Sequence, residues 1–274
     1  MLKIPSHSTT WPASAFSLVV SCFLLPMGRL SDMYGGKRLF VFGVGWLFIF
    51  SILGGIAGTG LVLIFARALQ GLGPAAFLPS SVMLLGSVYR PGPRKNLVSH
   101  ACQPARGDQN LTIAQVFSVY GACAPLGFFL GIFFAGLSAQ LLSWRWYFFI
   151  GALLSAISFL LAWASMPCDK DERAAFGVGM DWPGTVLIVS GLISLVFALT
   201  ASPGAPQGWK TPYILVSACL GSVVLAIATW WEGWMAPQPL LPAEIFKVKM
   251  FPAVVGAMFM QYGGLGIFLL YSTF

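Results

Sequence analysis

The sequence predicts an all-α integral membrane protein of about eight transmembrane helices, and three observations carry that reading. Of 274 residues, 58% are hydrophobic and only 8% charged, against about 25% charged in an ordinary soluble domain. The few charges are gathered into short stretches, which leaves uncharged runs of membrane-crossing length between them. Glycine (31) and proline (18) are both abundant, as is usual in membrane helices and unusual in soluble ones. In water, a chain of this composition would leave far too much apolar surface uncovered.

A helix needs about 20 apolar residues to cross about 30 Å of hydrocarbon. Residues 11–28 carry no charge and stop at Arg29. From Leu39 to Tyr89 the single charge is Arg67, so the stretch holds two helices, with Gly54, Gly55, Gly58 and Gly60 expected to supply the turn. Residues 116–144 and 146–168 are uncharged on either side of Arg145, and three more runs cover 182–209, 211–231 and 250–274. Placing 29–38 in the cytoplasm gives that side Arg29, Lys37, Arg38, Arg90, Arg94, Lys95, Arg106, Lys170, Arg173, Lys247 and Lys249. The other side keeps Lys3, Arg145 and Lys210, a clear positive-inside split with Arg67 left in the membrane. Residue 1 then lies outside with no cleavable signal peptide legible, which points to a segment upstream.

Composition also excludes several functions. A formal net charge of +7 would suggest a nucleic-acid partner in a soluble protein. Here the short basic loops account for it, and the lipid bilayer is the expected partner instead. The cysteines Cys22, Cys102, Cys123, Cys168 and Cys219 are far apart with no C-x-x-C spacing, and His7 and His100 have no ligand-spaced neighbour. Neither a disulfide framework nor a metal site is expected. No nucleophile–base pair stands out, so the chain is not read as an enzyme.

Three segments carry chemistry. Gly28-Arg29-Leu30-Ser31-Asp32-Met33-Tyr34-Gly35-Gly36-Lys37-Arg38 is, by charge alone, a short basic turn. Its glycines permit positive φ, and Asp32 is placed to meet the N-terminal end of the next helix. The residue order resembles the signature between the second and third helices of the major facilitator superfamily, G-x-L-x-D-x-x-G-x-[KR]-[KR]. That resemblance implies a gating loop that latches the two halves of a transporter as it changes conformation. Gly28, Asp32, Gly35, Lys37 and Arg38 match the pattern, Arg29 belongs to the same loop, and Met33 stands where a basic residue is common.

Arg67 is the second. An arginine near the membrane centre costs roughly 2.5–3.5 kcal/mol on insertion scales and normally marks an ion or proton path. It also lies about 10 Å beyond the glycine turn, within reach of snorkelling to the interface. Arg67-Ala68-Leu69-Gln70-Gly71-Leu72-Gly73 resembles the family's R-x-x-Q-G-x-G element in the fourth helix, which implies a role in proton coupling for Arg67, Gln70 and Gly71. In the third, Gly121, Pro125, Gly127 and Gly131 are small or helix-bending residues that suit close helix approach. Their order resembles the fifth-helix signature of the drug:proton antiporter branch, with the last two glycines four apart instead of adjacent, and it implies efflux over uptake.

Trp144-Arg145-Trp146-Tyr147-Phe148-Phe149 is by itself an interfacial aromatic belt, and it resembles the sixth-helix entry of the fourteen-span members. Asp181-Trp182-Pro183-Gly184 and Trp230-Trp231-Glu232 suit that branch as well, with Asp181 and Glu232 read as solvated caps.

The resemblance covers residues 11–274 apart from 98–115 and aligns with the second to ninth helices. It implies a major facilitator-type helical bundle that is incomplete at both ends. Residues 11–168 would be a first bundle lacking its first helix, 182–231 an extra linker pair, and 250–274 the first helix of a truncated second bundle. The polar stretch 98–115 reads as a translated intron or a disordered cytoplasmic loop. Val98-Ser99 is codable by a splice donor, Leu111-Thr112 by a branch point and Gln115 by an acceptor.

By resemblance, the expected function is proton-coupled efflux of small lipophilic molecules: drugs, toxins or other secondary metabolites. The proton gradient is the energy source, with no cofactor. The protein is expected to be a monomer in the plasma membrane, with the vacuolar membrane second. The alternatives are a non-transporting truncated fragment or pseudogene product, and a vacuolar transporter of basic amino acids or siderophores.

Overall fold

The computed structural model describes residues 11–89, 109–166, 179–236, 238–240 and 250–272, and among these it is all-α with no strand. The helices are α1 (Trp11–Tyr34), α2 (Gly36–Ile56), α3 (Gly60–Gln70), α4 (Leu72–Tyr89), α5 (Gln109–Leu141), α6 (Trp144–Ser165), α7 (Trp182–Ala201), α8 (Pro212–Trp234) and α9 (Phe251–Ser272). Among the described residues, seven spans are long and apolar enough to cross a membrane, with α3 and α4 together forming one over Gly60–Gly86. The eighth expected run is the uncharged helix α9.

Several boundaries differ from the sequence reading. α1 passes through Pro26 and does not stop at the first charge but runs on to Tyr34, because residues 29–34 include neither glycine nor proline. Gly35 then takes φ 92°, a conformation that favours glycine, and α2 begins at the next residue. The expected loop is therefore two helix ends joined at one residue. Among the described residues no hydrogen bond joins Asp32 to the start of α2, and its electrostatic partner is Arg29 on α1.

The glycine turn is shorter than expected too. Gly54 and Gly55 lie inside α2, and a Cβ on either would come within 2.9 Å of the Phe148 or Phe149 ring. Of the four only Gly58 lies in the turn; Gly60 opens α3, which Thr59 caps by accepting from the Val62 N–H at 3.4 Å. In the polar stretch, 98–108 lies outside the described residues, while Gln109 onward is helical and opens α5. After α7, two 3₁₀ turns (Ser202–Gly204 and Gly208–Lys210) carry the chain to α8.

α2 lies between α4 and α6, α1 packs on α3, α4 and α7, and α7 pairs with α8. Small residues make these seams. Ala66, Ala75, Ala76, Ser51 and Ser80 are fully buried, whereas Leu61, Phe65, Phe129 and Trp163 are two-thirds exposed. In hydrocarbon, large apolar side chains gain nothing by hiding from lipid, so close backbone approach decides the packing.

Candidate functional site

The element at Arg67 is built around a helix break. Pro74 has no N–H to offer the Gln70 carbonyl four residues back, so α3 ends at Gln70 and α4 resumes at Leu72. Around the break, the Gly71 N–H is shared between the Arg67 and Ala68 carbonyls, both at 3.1 Å. The Trp46 indole of α2 donates to the Leu69 carbonyl at 2.7 Å. Gly71 itself lies against α1, where a Cβ would meet the Phe16 carbonyl at 2.7 Å.

The Arg67 side chain does not reach back toward the turn. Its Nη1 donates to Gln70 Oε1 at 3.1 Å, deeper along the helix. Gln70 Nε2 donates to Ser51 Oγ of α2 at 2.7 Å, and Ser51 in turn donates to its own Leu47 carbonyl at 2.7 Å. Ser51 and Gln70 are 1% and 7% exposed, which makes the chain a buried one. The guanidinium also faces two aromatic rings, Phe16 of α1 at 4.9 Å and Phe148 of α6 at 5.6 Å. Arg67 has no ion-pair partner among the described residues. Three helices and a neutral amide thus hold a positive charge inside the bundle. Arg67, Gln70 and Gly71 lie together at the helix break. Ser51, Phe16, Phe148 and Trp46 are the members that sequence reasoning missed.

The Gly28–Arg38 segment lies about 20 Å further along α1 from Phe16, so the two sites are separate. Arg29 Nε donates to the Gly179 carbonyl at 3.2 Å, just ahead of α7. Lys37 Nζ donates to the Met166 carbonyl, the C-cap of α6. That is a favourable place for a cation, since a helix C-terminus leaves carbonyls unpaired and carries partial negative charge. Asp32 is exposed and within electrostatic reach of Arg29. Gly28 and Gly36 pack on α4, their Cβ positions 3.6 Å from Pro79 and 2.8 Å from Leu84.

Gly121, Pro125, Gly127 and Gly131 stand on a face of α5 that meets no other helix among the described residues. A Cβ on any of the three glycines would touch nothing within 4 Å. The helix continues through Pro125. Tyr120, one residue before the motif, shares a 2.8 Å hydrogen bond with Ser81 of α4.

Asp181 is a cap, as expected, but a buried one. Its Oδ1 accepts from the Gly184 N–H at 3.2 Å and its Oδ2 from the Trp231 indole of α8 at 3.1 Å, and it is 7% exposed. Among the described residues no group of His, Cys, Asp or Glu could hold a metal ion.

The family model described as Major Facilitator Superfamily matches residues 2–273. The chain is 35% identical over 271 residues to a low affinity ammonium transporter of Saccharomyces cerevisiae, covering 96% of this chain and 48% of that protein. It is 33% identical over 271 residues to an aminotriazole resistance protein of the same yeast, covering 97% and 46%. To the efflux pump terJ of Aspergillus terreus it is 34% identical over 239 residues, covering 85% and 42%. The chain spans about half the length of the curated relatives it matches.

Proposed function

The chain belongs to the Major Facilitator Superfamily, and from that premise we propose that it serves proton-coupled export of small lipophilic molecules across a membrane. The observation that carries the reading is the Arg67–Gln70–Ser51 chain, a fixed positive charge held inside the bundle. Relatives named for aminotriazole resistance and for efflux support the direction of transport. Arg67 serves as a fixed charge and not as the proton carrier. Its part would be electrostatic: in a low-dielectric interior its charge would favour the deprotonated form of any acid brought against it during transport, and so set when a proton is let go. The Gly28–Arg38 segment would gate, and the open face of α5 would serve the conformational exchange.

A second reading takes a small cation as cargo, after the printed name of the ammonium relative. The Arg67 charge would repel such a cargo locally, which favours the first reading for this region.

The test is efflux from cells expressing the chain, with aminotriazole and puromycin as probes and a pH-sensitive dye reporting proton movement. Export should fall at least tenfold in Arg67→Gln, whereas Arg67→Lys, which keeps the charge, should keep part of the activity. Equal efflux from wild type and Arg67→Gln would sink the proposal.

A further inference from the structure

The linker pair α7–α8 is tied to the gating segment at one residue. Gly179 accepts from Arg29 through its carbonyl and donates its N–H to Gln238 Oε1, beyond the end of α8. The two groups are in close contact: a Cβ on Gly179 would lie 2.8 Å from Gln238 Oε1, the swinging end of that side chain. Two residues on, Asp181 caps α7 and accepts from Trp231 of α8. Within the pair, Gly221 lies so close to α7 that a Cβ there would meet the Leu195 nitrogen at 2.8 Å and the Gly191 carbonyl at 3.0 Å. The two helices are therefore closely packed along this seam. At the far end of α1, Trp11 packs on Phe197 of α7 with ring centroids 5.8 Å apart.

We propose that Gly179 and Gln238 form a latch through which the α7–α8 pair positions the gating segment Gly28–Arg38. Gln238 is a positioning residue: it fixes the Gly179 peptide, whose carbonyl holds the Arg29 guanidinium. Lys37, bonded to the Met166 carbonyl, anchors the other side of the Gly35 break to the end of α6. Both helix ends that meet at Gly35 are then held, one to the bundle and one to the linker pair. Rotating α1 against α2 requires Arg29 to leave Gly179, and the linker pair sets how readily it does so. The inference rests on reading Gly28–Arg38 as the gate.

Hydrogen–deuterium exchange on the full chain in lipid nanodiscs tests it, and needs no transported substrate. Gln238→Ala should speed exchange of the 28–38 peptide about fivefold, the effect of one lost hydrogen bond on a local opening equilibrium. The 182–201 peptide should keep its wild-type rate. Arg29→Gln should do the same, and the double variant should go no faster than either alone, because both break one linkage. Gln238→Glu, which keeps an acceptor for the Gly179 N–H, should exchange as wild type. If Gln238→Ala leaves 28–38 at the wild-type rate, or if the two effects add in full, the latch does not exist and α7 is merely docked on α1. A loss of efflux in Arg67→Gln with this exchange pattern absent would leave the exporter reading standing and the latch refuted.

Discussion

Ser51 decides where Gln70 points. Its hydroxyl accepts from the Gln70 amide and donates a hydrogen bond to the Leu47 carbonyl, so the amide oxygen is left facing Arg67. Polar bonds between membrane helices are worth about 0.6 kcal/mol on average and about 1.7 kcal/mol at most. Ser51→Ala and Gln70→Ala should each lower the unfolding free energy in detergent, with a coupling of about 1 kcal/mol between them in a double-mutant cycle. Fully additive losses would mean that the two side chains act separately. Arg67 was legible in the sequence as the one charge in a long apolar stretch, and the R-x-x-Q order named its partner. Ser51 was not. Ser21, Ser80, Ser138 and Ser155 all donate to the carbonyl four residues back in the same way. A serine in an apolar helix satisfies itself by default, so nothing in its local sequence separates the one that also receives Gln70.

At the scale of elements, the seam between α2 and α4 rests on two glycines. A Cβ on Gly43 would meet the Gly73 carbonyl at 2.8 Å, and one on Gly73 would meet the Gly43 carbonyl and Leu47 Cβ, both at 2.9 Å. These neighbours are backbone or backbone-adjacent and cannot swing aside. Gly73→Ala should destabilise the chain by about 1–3 kcal/mol, read as a lower unfolding midpoint. Gly86, further along α4, has nothing within 4 Å of its Cβ position. Gly86→Ala should leave the midpoint unchanged or raise it, since alanine is the better helix former by about 1 kcal/mol. Equal effects at the two sites would show that the seam is not close-packed. The same logic explains why Gly54 and Gly55 misled the sequence reading. A glycine cluster marks a turn in water, but in hydrocarbon it equally marks where another helix comes close, here the Phe148 and Phe149 rings of α6.

For the whole molecule, hydropathy located the spans because charge is costly in hydrocarbon at every position. It was silent on which helix packs on which, because lipid and protein are equally apolar partners for leucine. The docking of α7 along α1 and the open glycine face of α5 are properties of close contact, and only the structure supplies them. α5 poses the sharpest question, since its signature residues are the ones its own bundle does not use. If that face serves conformational exchange and not folding, stability and function should separate there. Gly127→Leu and Gly131→Leu place bulk into open space, so the unfolding free energy should stay within about 0.5 kcal/mol of wild type or rise slightly with helix propensity. On the proposed function, efflux of aminotriazole should fall in both. A drop in stability would mean that the face is packed within this chain after all. Unchanged efflux with unchanged stability would mean that the glycines are incidental, and that the fifth-helix resemblance carries no direction of transport.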